Sequence, residues 1–163
     1  MKLSTKGRYA VTALADLAMR DGAGPKDRVS LAEISERQGI SLAYLEQLFA
    51  RLRRGGLVES VRGPGGGYRL ARPAAEITVA EVMAAVDERL NAMGCEGAIG
   101  EGCAGDRAQC LTHDLWERLS AHVHVFLAQT SLADVVGEKL APCPAVPDFA
   151  ALLEEDAPER AGA

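Results

Sequence analysis

The sequence predicts a mainly α fold with one small β-hairpin, and three observations carry that prediction. Two short helical patterns, each opened by a serine, are separated by Gly39-Ile40 alone. A Gly-rich loop, Gly63 to Gly67, then lies between two short apolar stretches. A long amphipathic pattern follows from Leu115.

The elements follow in order. Ser4 is a candidate N-cap for a first helix, with Tyr9, Ala13, Leu14, Leu17 and Ala18 at helical spacing and Gly22 to Pro25 as its stop. Ser30 and Glu33 form a capping box, in which each side chain satisfies the other's backbone N–H. They open a helix whose apolar members are Leu31, Ala32 and Ile34 and which Gly39 closes. Ser41 caps a third helix with Leu45, Leu48, Phe49 and Leu52 on one face, ending at Gly55-Gly56. Two helices joined by so short a Gly-containing turn match a helix-turn-helix. Leu57 to Val61 and Tyr68 to Leu70 are strand candidates joined by Arg62-Gly63-Pro64-Gly65-Gly66-Gly67, so the motif carries a wing. The glycines are turn residues. The loop lacks the Lys-Ser/Thr of a phosphate-binding loop and precedes a strand, not a helix.

Charge divides the chain in the same place. Residues 1–72 hold 13 Lys and Arg against 7 Asp and Glu, whereas residues 73–163 hold 5 against 16. A basic half suits double-stranded DNA, where each neutralised phosphate releases counterions; an acidic half belongs away from the duplex. The second helix of such a motif enters the major groove by its N-terminus, which makes Ser41, Ala43, Tyr44, Glu46 and Gln47 the candidate base readers. Gln suits adenine, and Glu accepts from cytosine N4. Arg62 on the wing is placed for the backbone or a narrow minor groove. Arg51, Arg53 and Arg54 are weaker phosphate candidates, equally explained as cations at the negative end of the helix dipole.

Beyond the wing, Thr78 and Glu81 form a second capping box for a helix with Val79, Val82, Met83 and Val86. From Asn91 to Leu111 periodicity stops, and Cys95, Cys103, Cys110 and His113 appear with spacing Cys-x7-Cys-x6-Cys-x2-His. Three thiolates and an imidazole suit either an iron-sulfur cluster or tetrahedral zinc. The loop lacks the closely spaced cysteine knuckles usual for structural zinc, which leaves zinc as the alternative. Asp106 or Glu101 is an alternative fourth ligand. Trp116, Leu119, Val123, Phe126 and Leu127 form one face of a long helix, read as a dimerisation face because helix-turn-helix proteins pair to read two half-sites. His122 and His124 are surface or interface residues, and Cys143 is a free thiol. The expected organisation is a DNA-binding domain over 1–75, a cluster-binding loop with dimerisation helices over 76–138, and a disordered Pro/Ala/Glu-rich tail over 139–163.

Composition excludes other classes. There is no apolar run of about 18 residues and no signal-peptide core, so the chain is expected in the cytoplasm and off the membrane. No catalytic triad, carboxylate pair or cofactor fingerprint is present, which argues against an enzyme. A cluster-carrier protein is the contrasting class, and it leaves the basic helix-turn-helix without a purpose.

Four strings, Leu3 to Ala10, Ile34 to Ser41, Tyr44 to Phe49 and Val61 to Tyr68, together with Cys110-Leu111-Thr112-His113 and Leu115-Trp116, resemble the iron-sulfur-cluster regulators of the Rrf family of bacterial winged helix-turn-helix transcription factors. The resemblance covers about residues 1–137. It implies a homodimer with one two-iron, two-sulfur cluster per monomer on Cys95, Cys103, Cys110 and His113, supplied by cluster donor proteins. It also implies a repressor, and at some sites an activator, of cluster-biogenesis genes. Sister members sense nitric oxide or iron availability instead. Glu46 looks like the family's discriminating acid, disfavouring one class of site in the cluster-free protein. The chain departs from the family pattern in longer gaps between the cysteines and in Ala43 at a serine position.

Overall fold

The computed structural model describes residues 4–20, 28–63, 65–88 and 111–137. The three candidate cysteine ligands, Cys143, Asp106, Glu101, the Gly22–Pro25 stop and the expected tail lie outside these residues. Helix α1 spans Thr5–Ala18, α2 Leu31–Gln38 and α3 Leu42–Arg54; strands β1 (Val58–Val61) and β2 (Gly67–Leu70) follow. A 3-10 turn at Ala74–Glu76 leads to α4 (Val79–Ala85), and beyond the undescribed segment come α5 (His113–Gln129) and α6 (Leu132–Val136).

Local chemistry sets these boundaries. The Ser4 hydroxyl accepts from the N–H of Lys6 at the start of α1. Ser30 and Glu33 close the expected capping box, and Gly39, at φ +65°, ends α2 in the left-handed region that a Cβ disfavours. Ser41 caps α3 through the N–H of Tyr44. The Thr78–Glu81 box opens α4, and a further box, Ser131 with Asp134, opens α6.

β1 and β2 are antiparallel, with Val58 opposite Leu70, Glu59 opposite Arg69, Ser60 opposite Tyr68 and Val61 opposite Gly67. Gly67 therefore belongs to the strand and not to the turn the sequence suggests. A Cβ there would stand 2.7 Å from the carbonyl oxygen of Val29, because Val29 bridges the free edge of β2 at Tyr68. The hairpin thus gains a short third extended piece from the residue before α2's cap.

The core is continuous. Leu14 and Leu17 of α1, Ile34 of α2, Leu45, Phe49 and Leu52 of α3, Leu57, Ile77, Val82, Val86 and Leu132 pack as one cluster. Ile77 to Val86 and Leu132 thus share the core of the first three helices. Where α4 and α6 begin, Thr78 bridges Ser131, the N–H of Val79 donates to Thr130 O at 2.8 Å and that of Leu132 to Ile77 O at 2.9 Å. Among the described residues beyond Val86, Leu132, 0 % exposed, belongs to this core. No residue of α5 is buried. No helix among the described residues is long and apolar enough to cross a membrane.

Candidate functional site

Helix α3 turns Leu45, Leu48, Phe49 and Leu52 inward and leaves Ser41, Ala43, Glu46 and Gln47 exposed on one end. That is the surface a recognition helix presents to base edges. Its seat is rigid. Ser41 is held by its cap hydrogen bond, and Tyr44, half-buried, packs its ring edge-on to Tyr9 of α1 with centroids 5.9 Å apart. Phe49 makes a similar contact with Tyr68 of the wing at 4.8 Å. Helix, wing and α1 are therefore one packed unit, so a displacement of α1 or the wing is felt by the reading face.

At the wing tip, Arg62 is exposed and starts a turn in which the N–H of Gly66 donates to Gly63 O at 2.8 Å. Gly63 at φ +105° and Gly65 at φ +71° supply the left-handed backbone this turn requires. Lower on the hairpin, Arg69 is paired with Glu59 at 2.8 Å, which leaves Arg62 as the wing's exposed guanidinium at the tip.

The three arginines that end α3 have intramolecular partners. Arg51 is ion-paired with Asp87, Arg53 reaches Ser60 Oγ at 3.4 Å, and Arg54 donates to Ala50 O at 3.3 Å. Their position in the last turn complements the helix dipole. They sit at the end of α3 opposite the candidate readers.

Of the four candidate cluster ligands, His113 lies among the described residues, as the first residue of α5 and half-buried. Among the described residues no group of three metal-ligating side chains forms. The donor set itself, three thiolates and an imidazole, is of the soft type that holds iron-sulfur clusters or zinc. Along α5, Leu115, Trp116, Leu119 and Phe126 are 40 to 59 % exposed, an apolar face left open among the described residues.

Two features escape a reading of the sequence. Leu42 shares the apolar phase of α3, three residues before Leu45, yet is 43 % exposed beside the readers, where an aliphatic side chain suits a thymine methyl. The second is the pair Asp87-Glu88, which ends α4. The Glu88 carboxylate accepts from the Ser4 N–H at 2.9 Å and from the Ser4 hydroxyl, capping α1 across 84 positions of sequence. Burial pushes the Glu88 carboxyl up, but hydrogen bonds from Ser4, the charge of Lys6 and the N–H of Gly7 outweigh it and hold it below the ordinary value. Neither feature has a sequence pattern, since both depend on which helices meet.

The comparisons with known proteins agree with this geometry. The family described as Rrf2, iron-dependent transcriptional regulator, matches residues 3–138. The HTH-type transcriptional regulator IscR of Cereibacter sphaeroides is 60 % identical over 156 residues, covering 96 % of this chain and all of the relative. IscR of Photorhabdus laumondii is 58 % identical over 140 residues, covering 85 % and 81 %. Among solved structures, T. potens IscR superposes with TM-score 0.65 at 38 % identity over 85 % of this chain and 88 % of that one. CymR, the global cysteine regulator of B. subtilis, superposes with TM-score 0.67 at 33 % identity over 85 % and 98 %. These relatives are regulators of transcription, not enzymes. A winged helix-turn-helix regulator in fold and in kinship, the chain belongs to the Rrf2 family of iron-dependent transcriptional regulators.

Proposed function

We propose that this chain is a cytoplasmic, homodimeric regulator that binds operator DNA through α3 and the wing and whose affinity is set by a two-iron, two-sulfur cluster. Cys95, Cys103, Cys110 and His113 would hold the cluster, one per monomer, and cluster donor proteins would load it. The genes of cluster biogenesis are the expected targets, through repression and at some sites activation. The observation that carries the reading is the conjunction, in one chain, of an exposed polar α3 face with the wing guanidinium Arg62 and a cysteine-bearing stretch of sequence that follows α4, a helix packed into the core of the DNA-reading unit.

When bound, the cluster supplies covalent ties between residues 95–110 and the first residue of α5. The chain's own residues do the rest. Gln47 and Glu46 read base edges, Leu42 adds an apolar contact, and Arg62 fixes the wing on the backbone or in the minor groove. The exposed apolar face of α5 pairs two copies, which sets the spacing of two half-sites. A switch then needs nothing more than different affinities of the loaded and metal-free states for DNA, and linkage makes the coupling reciprocal.

The test is anaerobic purification followed by footprinting of wild type and Cys103→Ala. A coloured protein with about two irons and two sulfides per chain is expected. The Cys103→Ala protein should bind a different set of sites. A colourless protein with stoichiometric zinc removes the cluster and leaves the DNA reader standing. Exposure to nitric oxide, oxygen or iron limitation then identifies the signal.

A further inference from the structure

Helix α4 ends in a Schellman turn: the N–H of Asp87 donates to Ala84 O at 3.0 Å and that of Glu88 to Met83 O at 2.9 Å. The left-handed position of that turn, φ +54°, is occupied by Asp87, the one non-glycine residue with positive φ among the described residues. Glycine adopts this conformation without the steric cost a Cβ imposes, and aspartate is one of the few other residues that visit it, helped by polar contacts of its short side chain. That side chain is ion-paired with Arg51 in the last turn of α3. The carbonyl of the same residue accepts from Lys6 Nζ of α1 at 2.8 Å, and the next residue, Glu88, caps α1 at Ser4. The approach is close. A Cβ at Gly7 would lie 2.7 Å from Met83 Sδ and 2.9 Å from Glu88 Cγ. Immediately after Glu88 the chain enters residues 89–110, which carry all three candidate cysteine ligands.

We propose that Asp87 is a positioning residue of the DNA reader, holding α3 through Arg51 and α1 through Lys6 so that the state of the cysteine segment is passed to the recognition helix. This rests on the cluster-sensing reading above. Both helices that Asp87 grips carry the reading face, α3 directly and α1 through the Tyr9–Tyr44 contact. A rotation of the α4 terminus cannot occur without moving one of them or breaking the pair. With the Asp87 side chain 77 % exposed, the ion pair adds little to stability, so removing it separates coupling from folding.

The experiment uses the full chain, cluster-loaded and metal-free, with a duplex enriched by the wild-type protein from a random-sequence pool. Asp87→Gly keeps the turn and deletes the carboxylate; Asp87→Asn keeps the shape and deletes the charge. Both are expected to keep the visible cluster spectrum, and Asp87→Gly to melt no lower than wild type. The ratio of loaded to metal-free affinity should contract by about threefold, within what an exposed ion pair contributes. Amide exchange of residues 51–55 should rise in the metal-free protein. The double swap Arg51→Asp with Asp87→Arg should recover the ratio. An unchanged ratio in Asp87→Gly overturns the proposal, as does an equal change of affinity in both states, which would make Asp87 a structural residue or a competitor for Arg51. A wild type whose affinity is the same in both states fails at the earlier step and overturns the sensor reading itself.

Discussion

Asp16 and Arg37 fasten the first helix to the helix-turn-helix by a two-pronged ion pair, with Arg37 Nε at 3.0 Å and Nη2 at 2.6 Å from the two carboxylate oxygens. Gln38 Nε2 adds a third donor at 2.9 Å, and Asp16 is 5 % exposed. Burial pushes the Asp16 carboxyl up; hydrogen bonds from Arg37 and Gln38 and the charges of Arg37 and Arg20 outweigh it, so the group lies below its ordinary value of 3.8.

Removing Arg37 leaves a buried carboxylate with one neutral donor. Arg37→Ala is expected to destabilise the fold by about 2 kcal/mol, less than a wholly buried pair because the solvent-facing side of Arg37 is already screened. Arg37→Lys should recover less than half, since an ammonium cannot make both contacts. Because Asp16 has a depressed folded-state pKa, its contribution is complete above the unfolded value and is lost as pH falls through the folded one. Denaturant midpoints between neutral pH and acid should therefore fall more steeply for wild type than for Asp16→Asn. Parallel pH curves would remove Asp16 from the acid response.

Two glycines should fail for different reasons. Gly39 has open space around a built Cβ and pays only for its left-handed backbone, so Gly39→Ala should cost about 1 kcal/mol and leave DNA binding intact. Gly67 has extended backbone but faces Val29 O at 2.7 Å, so Gly67→Ala must break the bridge that anchors the wing. Its expected signature is a loss of operator affinity larger than its loss of stability, read by calorimetry and anisotropy on the same samples.

The α5 face gives a third expectation. Leu119→Asp or Phe126→Asp charges a surface that is exposed among the described residues, so the monomer should fold with little change in its melting temperature. Sedimentation should show monomers where wild type sediments as a dimer, and two-half-site DNA should bind more weakly while isolated half-sites bind as before. A wild type that is already monomeric would refute the pairing.

What the sequence made legible is what is encoded locally. Ser30-x-x-Glu33, Gly39, Ser41 and the Gly-rich loop each bond or bend within a few residues, so helix limits and wing could be read directly. Ser131-x-x-Asp134 is just as local a signal for α6. The remaining features are long-range. Val29 joins the wing at Tyr68, Leu132 belongs to the core, Arg51 finds Asp87, and Glu88 caps Ser4, each set by how helices pack and not by any spacing. The exposed reading face was legible because amphipathic phase sorts inward from outward residues, whereas the exposure of Leu42 at the end of the apolar stripe depends on where the neighbouring helices stop.

The reading face itself separates into residues that position and residues that specify. Arg62 is a charge at the wing tip, so Arg62→Ala should weaken binding to every duplex and lower the slope of log K against log salt by about one. Gln47→Ala should instead cost about 1–3 kcal/mol on the enriched duplex, leave the salt slope unchanged and relax preference at one base position. Glu46→Ala removes a carboxylate that finds no donor on some sequences, so it should strengthen binding to duplexes the wild type rejects while leaving its best site little changed. Selection from a random pool at two salt concentrations reads all three at once. If Gln47→Ala changes the salt slope and Arg62→Ala changes the base preference, the assignments are reversed, and α3 lies along the backbone with the wing as the specifying element.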